Sequence, residues 1–152
     1  MPAIGRRSAI ACCALVACFL AAALQADTHS DIMHVFGGMA TALTAANPDE
    51  FMQAFDRNMP DYDRIKSEVT QLVAQGEISS TAQPVRDEGD NKHRSVDLDW
   101  SLDIKNPDPA SPGPLLHRRE VVHCRLERLN KHWRIVALDP LSFFAPQNLD
   151  KK

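Results

Sequence analysis

The sequence predicts one α+β domain in which N-terminal helices pack on an antiparallel four-stranded sheet. Three observations carry this. Apolar residues recur every three or four positions before residue 76 and at every second position after it. Turn signals at residues 87–91 and at Asn130-Lys131 separate strand-like runs. A helical pattern followed by a strand pattern, rather than an alternation of the two, favours α+β over a parallel sheet.

Each element has its own warrant. Ile32, Val35, Phe36, Met39 and Leu43 form one stripe of a first helix, with His34 facing the other way. Gly37-Gly38 weakens that helix locally. In Asn47-Pro48-Asp49-Glu50, Asn47 can cap a helix, Pro48 suits its first position, and Glu50 can complete a capping box. Phe51, Met52 and Phe55 supply the buried side of this short second helix. Pro60-Asp61 punctuates the chain, and Tyr62, Ile65, Val69, Leu72 and Val73 mark a third helix, with Gly76 at the expected C-terminal cap.

The strands follow. Residues 78–85 read as a first strand at a sheet edge, because Pro84 cannot donate to a ladder. Val96, Leu98, Trp100, Leu102 and Ile104 alternate with Ser95, Asp97, Asp99, Ser101 and Asp103, which is a half-buried second strand. Pro107, Pro109, Pro112 and Pro114 fill the next loop. Val122, Cys124 and Leu126 share one face of a third strand, and Arg119, His123, Arg125 and Glu127 the other. Asn130-Lys131 suits a two-residue hairpin turn into a last strand, residues 133–138, which Pro140 helps to end. Residues 147–152 read as a frayed polar tail.

Length and charge limit the function classes. The 152 residues are one domain's worth, 44% hydrophobic and 24% charged. Seventeen Lys+Arg against 20 Asp+Glu give a formal charge of -3, and aromatics make up 6%. Neither a basic face for nucleic acid nor a base-stacking platform is implied.

Residues 1–26 hold no acidic side chain, place Arg6 and Arg7 before an apolar run at 9–24, and end in small Ala26. This is the layout of a signal peptide, and the run is shorter than the roughly 20 residues of a transmembrane anchor. The expected chain is therefore exported, periplasmic or secreted. Leu15-Val16-Ala17-Cys18 resembles a lipobox, but the apolar residues after Cys18 favour cleavage after Ala26. Removing 26 of 152 residues leaves 126, and the loss of Arg6 and Arg7 takes the charge from -3 to -5. Cys12, Cys13 and Cys18 would leave with the signal, so Cys124 would be a lone thiol.

The Met39-Ala-Thr-Ala-Leu43 helix, the Asn47-Pro-Asp-Glu-Phe51 start and the strand-turn-strand ending in Trp133-Arg134-Ile135-Val136 resemble the nuclear-transport-factor-2-like superfamily, also called SnoaL-like or cystatin-like. The resemblance spans residues 31–144, within a domain expected at 27–146. It implies a curved, cone-shaped sheet wrapped on helices around a hollow, an outer sheet face that in some relatives forms a homodimer, and polar catalytic groups inside the cone in those relatives that are enzymes.

Face assignment then selects candidate residues. A tight turn at Asn130-Lys131 would set Leu126 by Ile135, Cys124 by Ala137 and Val122 by Asp139. On the other face it would set Glu127 by Arg134, Arg125 by Val136 and His123 by Leu138. Between the second and third strands, Asp103 would lie by Arg119, Asp99 by His123 and Asp97 by Arg125. The apolar face carries almost no titratable group, so the expected role is a non-enzymatic module. It would bind a small apolar ligand or a protein partner, with Phe36, Phe55, Tyr62, Leu98, Trp100, Val122, Cys124, Leu126 and Ile135 lining a pocket. The alternative is a small isomerase- or dehydratase-type enzyme using Glu120 and Asp139 at the cone mouth as an acid and base pair, with Tyr62 and Asp56 from the helical side. No cofactor is implied. The six histidines match no zinc spacing, although cleavage after Ala26 would expose Asp27-Thr28-His29, a terminus able to hold Cu(II) or Ni(II).

Overall fold

The computed structural model describes residues 9–106, 108, 110 and 115–147, with side chains described from residue 26 onward. Arg6-Arg7, the apolar run's side chains, all four loop prolines and residues 148–152 lie outside the described residues.

Helix α1 (Ala9–Thr44) runs without a break through the expected cleavage point. Thr28, Ile32, Phe36, Met39, Ala42 and Leu43 bury the stripe that the spacing predicts. Helix α2 (Pro48–Met52) starts as expected: Asn47 accepts from the Glu50 amide at 3.1 Å, and its own amide donates to the Glu50 carboxylate at 3.0 Å. Helix α3 (Tyr62–Val73) has the predicted bounds. Gly76 is not its cap, which is Ala74. Glycine is required at 76 because a Cβ there would stand 2.2 Å from the Lys105 carbonyl oxygen. Among the described residues no helix is long and apolar enough to cross a membrane.

Four antiparallel strands follow in the order β1 (Glu77–Gly89), β2 (His93–Lys105), β3 (Leu116–Leu129) and β4 (His132–Asp139). The fold is thus α+β, with helices packed against one face of an open, curled sheet. Strand β1 is an edge, as Pro84 implies, and its register slips between Pro84 and Arg86. It runs four residues beyond the expected end. Asp87 is satisfied within the sheet by Arg94, and Asp90 makes the turn by accepting from the Lys92 and His93 amides at 2.8 and 2.7 Å. Asn130 (φ 49) and Lys131 (φ 68) form the predicted two-residue turn with both residues left-handed.

Two registers differ from expectation. Strands β2 and β3 sit two residues from the expected pairing, so Asp97 faces His123, Asp99 faces Val121 and Asp103 faces His117. A two-residue offset preserves which face each side chain takes. Between β3 and β4 the pairs Leu126–Ile135 and Glu127–Arg134 are as expected. A bulge then sets Cys124 by Leu138, Arg125 by Ala137 and His123 by Asp139. That extra residue turns Leu138 inward and Asp139 outward.

The apolar sheet face is covered completely. Leu98, Trp100, Val122, Cys124, Leu126 and Ile135 are at most 1% exposed. A 3-10 turn after the last strand, Leu141–Phe144, has no counterpart in the sequence reading. It drives Phe143 and Phe144 onto Trp100, with Phe51 edge-on to Phe144 at 5.3 Å. Arg118 fastens this turn by donating to the Phe143 carbonyl and, at 2.9 Å, to that of Ala145. Gln147 is not frayed: its amide and carbonyl both pair with the Gln75 side chain, at 2.8 and 2.7 Å.

Candidate functional site

A groove of about 920 Å³ opens between the segment from α2 to α3 and the β3–β4 hairpin. Its walls are tied together by a short parallel bridge. The Ile135 amide donates to Ala54 at 2.8 Å, and the Asp56 amide donates to Ile135 at 2.9 Å. This bridge also occupies the free edge of β4, which would otherwise expose unpaired backbone groups.

The groove is rich in cations. Arg57 and Lys66 come from the helical side, and Arg128, His132 and Arg134 from the hairpin, against Asp49 and Asp56. Lys66 meets Asp49 at 3.5 Å. Arg57, Arg128 and Arg134 form no ion pair among the described residues. Arg128 lies over the Trp133 ring, 5.9 Å from its centroid, and Arg134 donates to the Trp133 carbonyl at 3.2 Å. Asp56 accepts from the Asn58 amide at 3.1 Å, which shapes the lip of the groove. Tyr62, Asn58 and Asn130 add hydrogen-bonding groups, and Met52, Phe55 and Leu129 an apolar floor.

Of the nine residues expected to line an apolar pocket, Phe55 and Tyr62 line this groove. Leu126 borders a separate shallow cavity beside Arg94, Arg125 and Val136. Phe36, Leu98, Trp100, Val122, Cys124 and Ile135 are packed in the core and border neither this groove nor that cavity. Burial, with a smaller contribution from the Asp97 charge, pushes the Cys124 thiol far above its ordinary value, so it is not a poised nucleophile.

Glu120 and Asp139 are not brought together. Glu120 keeps the inward parity of β3 but is exposed beyond the covered core, while the bulge places Asp139 beside His123 on the outer face. Burial lowers the affinity of the Arg118 guanidinium for its proton, and the Glu120 charge partly offsets this.

The outer face is a ladder of carboxylates hydrogen-bonded across the strands. Asp103–His117 lies at 2.6 Å, Asp97–His123 at 2.7 Å, and Arg119 reaches diagonally to Asp99 with its Nε at 2.9 Å. At the sheet end, Asp87 holds Arg94 at 2.7 Å and His29 at 2.6 Å. In α1 the His29 imidazole thus meets the β1–β2 hairpin, whereas the metal square expected of Asp27-Thr28-His29 needs a chain that begins at Asp27. Among the described residues no group of three His, Cys, Asp or Glu could hold a metal ion.

An open, curled four-stranded sheet with three helices on its concave side defines a cone-type α+β protein. That fold is the nuclear-transport-factor-2-like one. A protein of this type from Shewanella oneidensis, of unknown function, superposes with a TM-score of 0.55 at 15% identity, covering 72% of this chain and 95% of its own. A superfamily member from Salmonella enterica gives 0.60 at 12% identity over 82% and 95%. A protein from Novosphingobium aromaticivorans, named as a candidate scytalone dehydratase, gives 0.67 at 9% identity over 77% and 85%. At these identities the likeness is one of fold, and fold does not assign chemistry. No family model and no curated protein matches the chain.

Proposed function

We propose that this chain is an exported, non-enzymatic binding module whose ligand site is the groove between the α2–α3 segment and the β3–β4 hairpin. One observation carries the reading. Trp100, Phe143 and Phe144 occupy the concave face where an apolar ligand was expected, while the groove outside it keeps three arginines without carboxylate partners. Export is proposed from the signal-like first 26 residues. It is compatible with the sheet contacts of α1, because buried Thr28 and paired His29 both follow Ala26. An acid and base mechanism has less support, since Glu120 and Asp139 face opposite ways.

The outer sheet face is the surface we assign to a second copy of the chain. Asp97, Asp99 and Asp103 already have partners across the strands there, and Val121 stands 42% exposed among them. Light scattering at high micromolar concentration should give a dimer mass, and a monomer would remove this assignment.

Native mass spectrometry of protein recovered from the exported fraction tests the whole reading. The expected mass begins at Asp27 and carries a non-covalent small molecule that is lost when Arg57 and Arg134 are both replaced by glutamine. A ligand retained by that variant would move the site elsewhere, and a mass including residues 1–26 would contradict processing.

A further inference from the structure

We propose that the groove takes a small, hydroxylated organic dianion whose charge is carried by carboxylate or phosphate groups. The inference rests on the groove being the ligand site and adds the chemistry of what enters it. Charge comes first. With Lys66 matched to Asp49, the remaining lining sets Arg57, Arg128 and Arg134 against Asp56, a local excess of two positive charges on a chain whose formal charge is -3, with Glu127 across the strand from Arg134 but outside the lining and in no ion pair with it. An isolated positive hollow on an acidic protein focuses field lines and attracts anions over distances near the Debye length, about 8–10 Å.

Ligand shape follows from the side chains. Guanidinium groups present paired donors that match the oxygens of carboxylate and phosphate. Arg128 is held over Trp133 and Arg134 is tethered to a backbone carbonyl, so part of the ordering cost is met before a ligand arrives. Asn58, Asn130 and Tyr62 sit in the same lining and suit hydroxyl groups on the ligand's body. Phe55 and Met52 are almost wholly covered, so a large apolar body has little surface to rest on. The bridge through Ala54, Asp56 and Ile135 fixes the two walls relative to each other.

Calorimetric titration of the purified full chain with malate, glucose 6-phosphate, inorganic phosphate and glucose tests the inference, with amide NMR shifts locating each event. Malate or glucose 6-phosphate should bind with shifts at residues 55–62 and 128–134, and glucose should not bind. Stronger binding of one of the two would identify the anionic group, and phosphate binding as tightly as either would overturn the need for an organic body. Arg128→Gln and Arg134→Gln should each weaken binding about tenfold, the loss expected for one charge-assisted contact. Arg86→Gln, outside the groove, should change nothing. Glucose binding in the groove as tightly as the anions would refute the dianion while sparing the site. Anion binding that shifts other residues and ignores both arginine variants would refute the site itself.

Discussion

The ring of Phe144 meets Trp100 edge-on, with centroids 5.0 Å apart and ring planes at 86°. A residue from the last described turn therefore completes the packing of the second strand. Edge-to-face pairs add about 0.5–1.5 kcal/mol beyond the area they bury. Because Phe143 stands perpendicular to Phe144 at 5.0 Å, the two rings close the concave face together.

Phe144→Ala should therefore cost about 3–5 kcal/mol of stability, the range for truncating a buried aromatic. Urea unfolding followed by Trp fluorescence measures it. A loss below about 1 kcal/mol would mean that the C-terminal turn is not seated on the sheet.

Glycine substitutions should split in sign. At Gly89, with φ +135, a Cβ would stand 2.1 Å from the His93 carbonyl oxygen, and at Gly76 it would strike Lys105. Alanine at either site should lower Tm clearly. Gly37 and Gly38 lie inside α1 with nothing within 4 Å of an added Cβ. Alanine there should stabilise by up to about 1 kcal/mol per site. Thermal melts of the four variants check the pattern, and a drop at Gly37 or Gly38 would reveal a packing partner on that side.

Asp87 and Arg94 form a covered pair, with side chains 8% and 9% exposed. Removing Arg94 leaves the covered Asp87 carboxylate with only the half-exposed His29 imidazole, so Arg94→Met should cost up to about 3–5 kcal/mol, the range for breaking a buried pair. The double variant Asp87→Asn with Arg94→Met should recover part of that loss. Chemical denaturation of the parent, both single variants and the double variant measures the coupling, and strict additivity would show that the pair is not formed.

Acid should remove a defined contribution from the outer face. The hydrogen bond from Arg119, helped by its charge, holds the Asp99 carboxyl below the ordinary carboxylate value. The unfolded chain thus binds this proton more readily than the folded one. The stabilisation is present above about pH 4, the ordinary aspartate value, and is lost as pH falls through the lowered one. Carboxyl NMR should find Asp99 titrating below the ordinary aspartate value, and an ordinary midpoint would show the contact to be transient.

Fold was legible where a physical period repeats. Val96 to Ile104 alternate so regularly that the covered face could be named residue by residue, and the positive φ of Asn130 and Lys131 follows from a two-residue hairpin. Register was less legible. The ten residues between β2 and β3 do not encode a two-residue offset, and the bulge opposite Arg125 that turned Asp139 outward leaves no mark in the pattern. Phe143 and Phe144 were missed because a four-residue 3-10 turn has no period. Only the apolar Leu141-Ser-Phe-Phe run after Pro140 could have signalled them. The groove was legible only through Phe55, Asp56 and Tyr62. Its arginines lie in two segments some seventy residues apart in sequence, and only the bridge through Ile135 joins them.

The central claim is that binding occurs outside the cone, and an amide chemical-shift map of the protein titrated with its co-purifying small molecules tests it most directly. The account predicts shifts at residues 52–62 and 128–134 and silence in the sheet interior. Shifts concentrated at Leu98, Trp100, Val122 and Phe144 would contradict it, because they would place a ligand where the aromatic rings now stand.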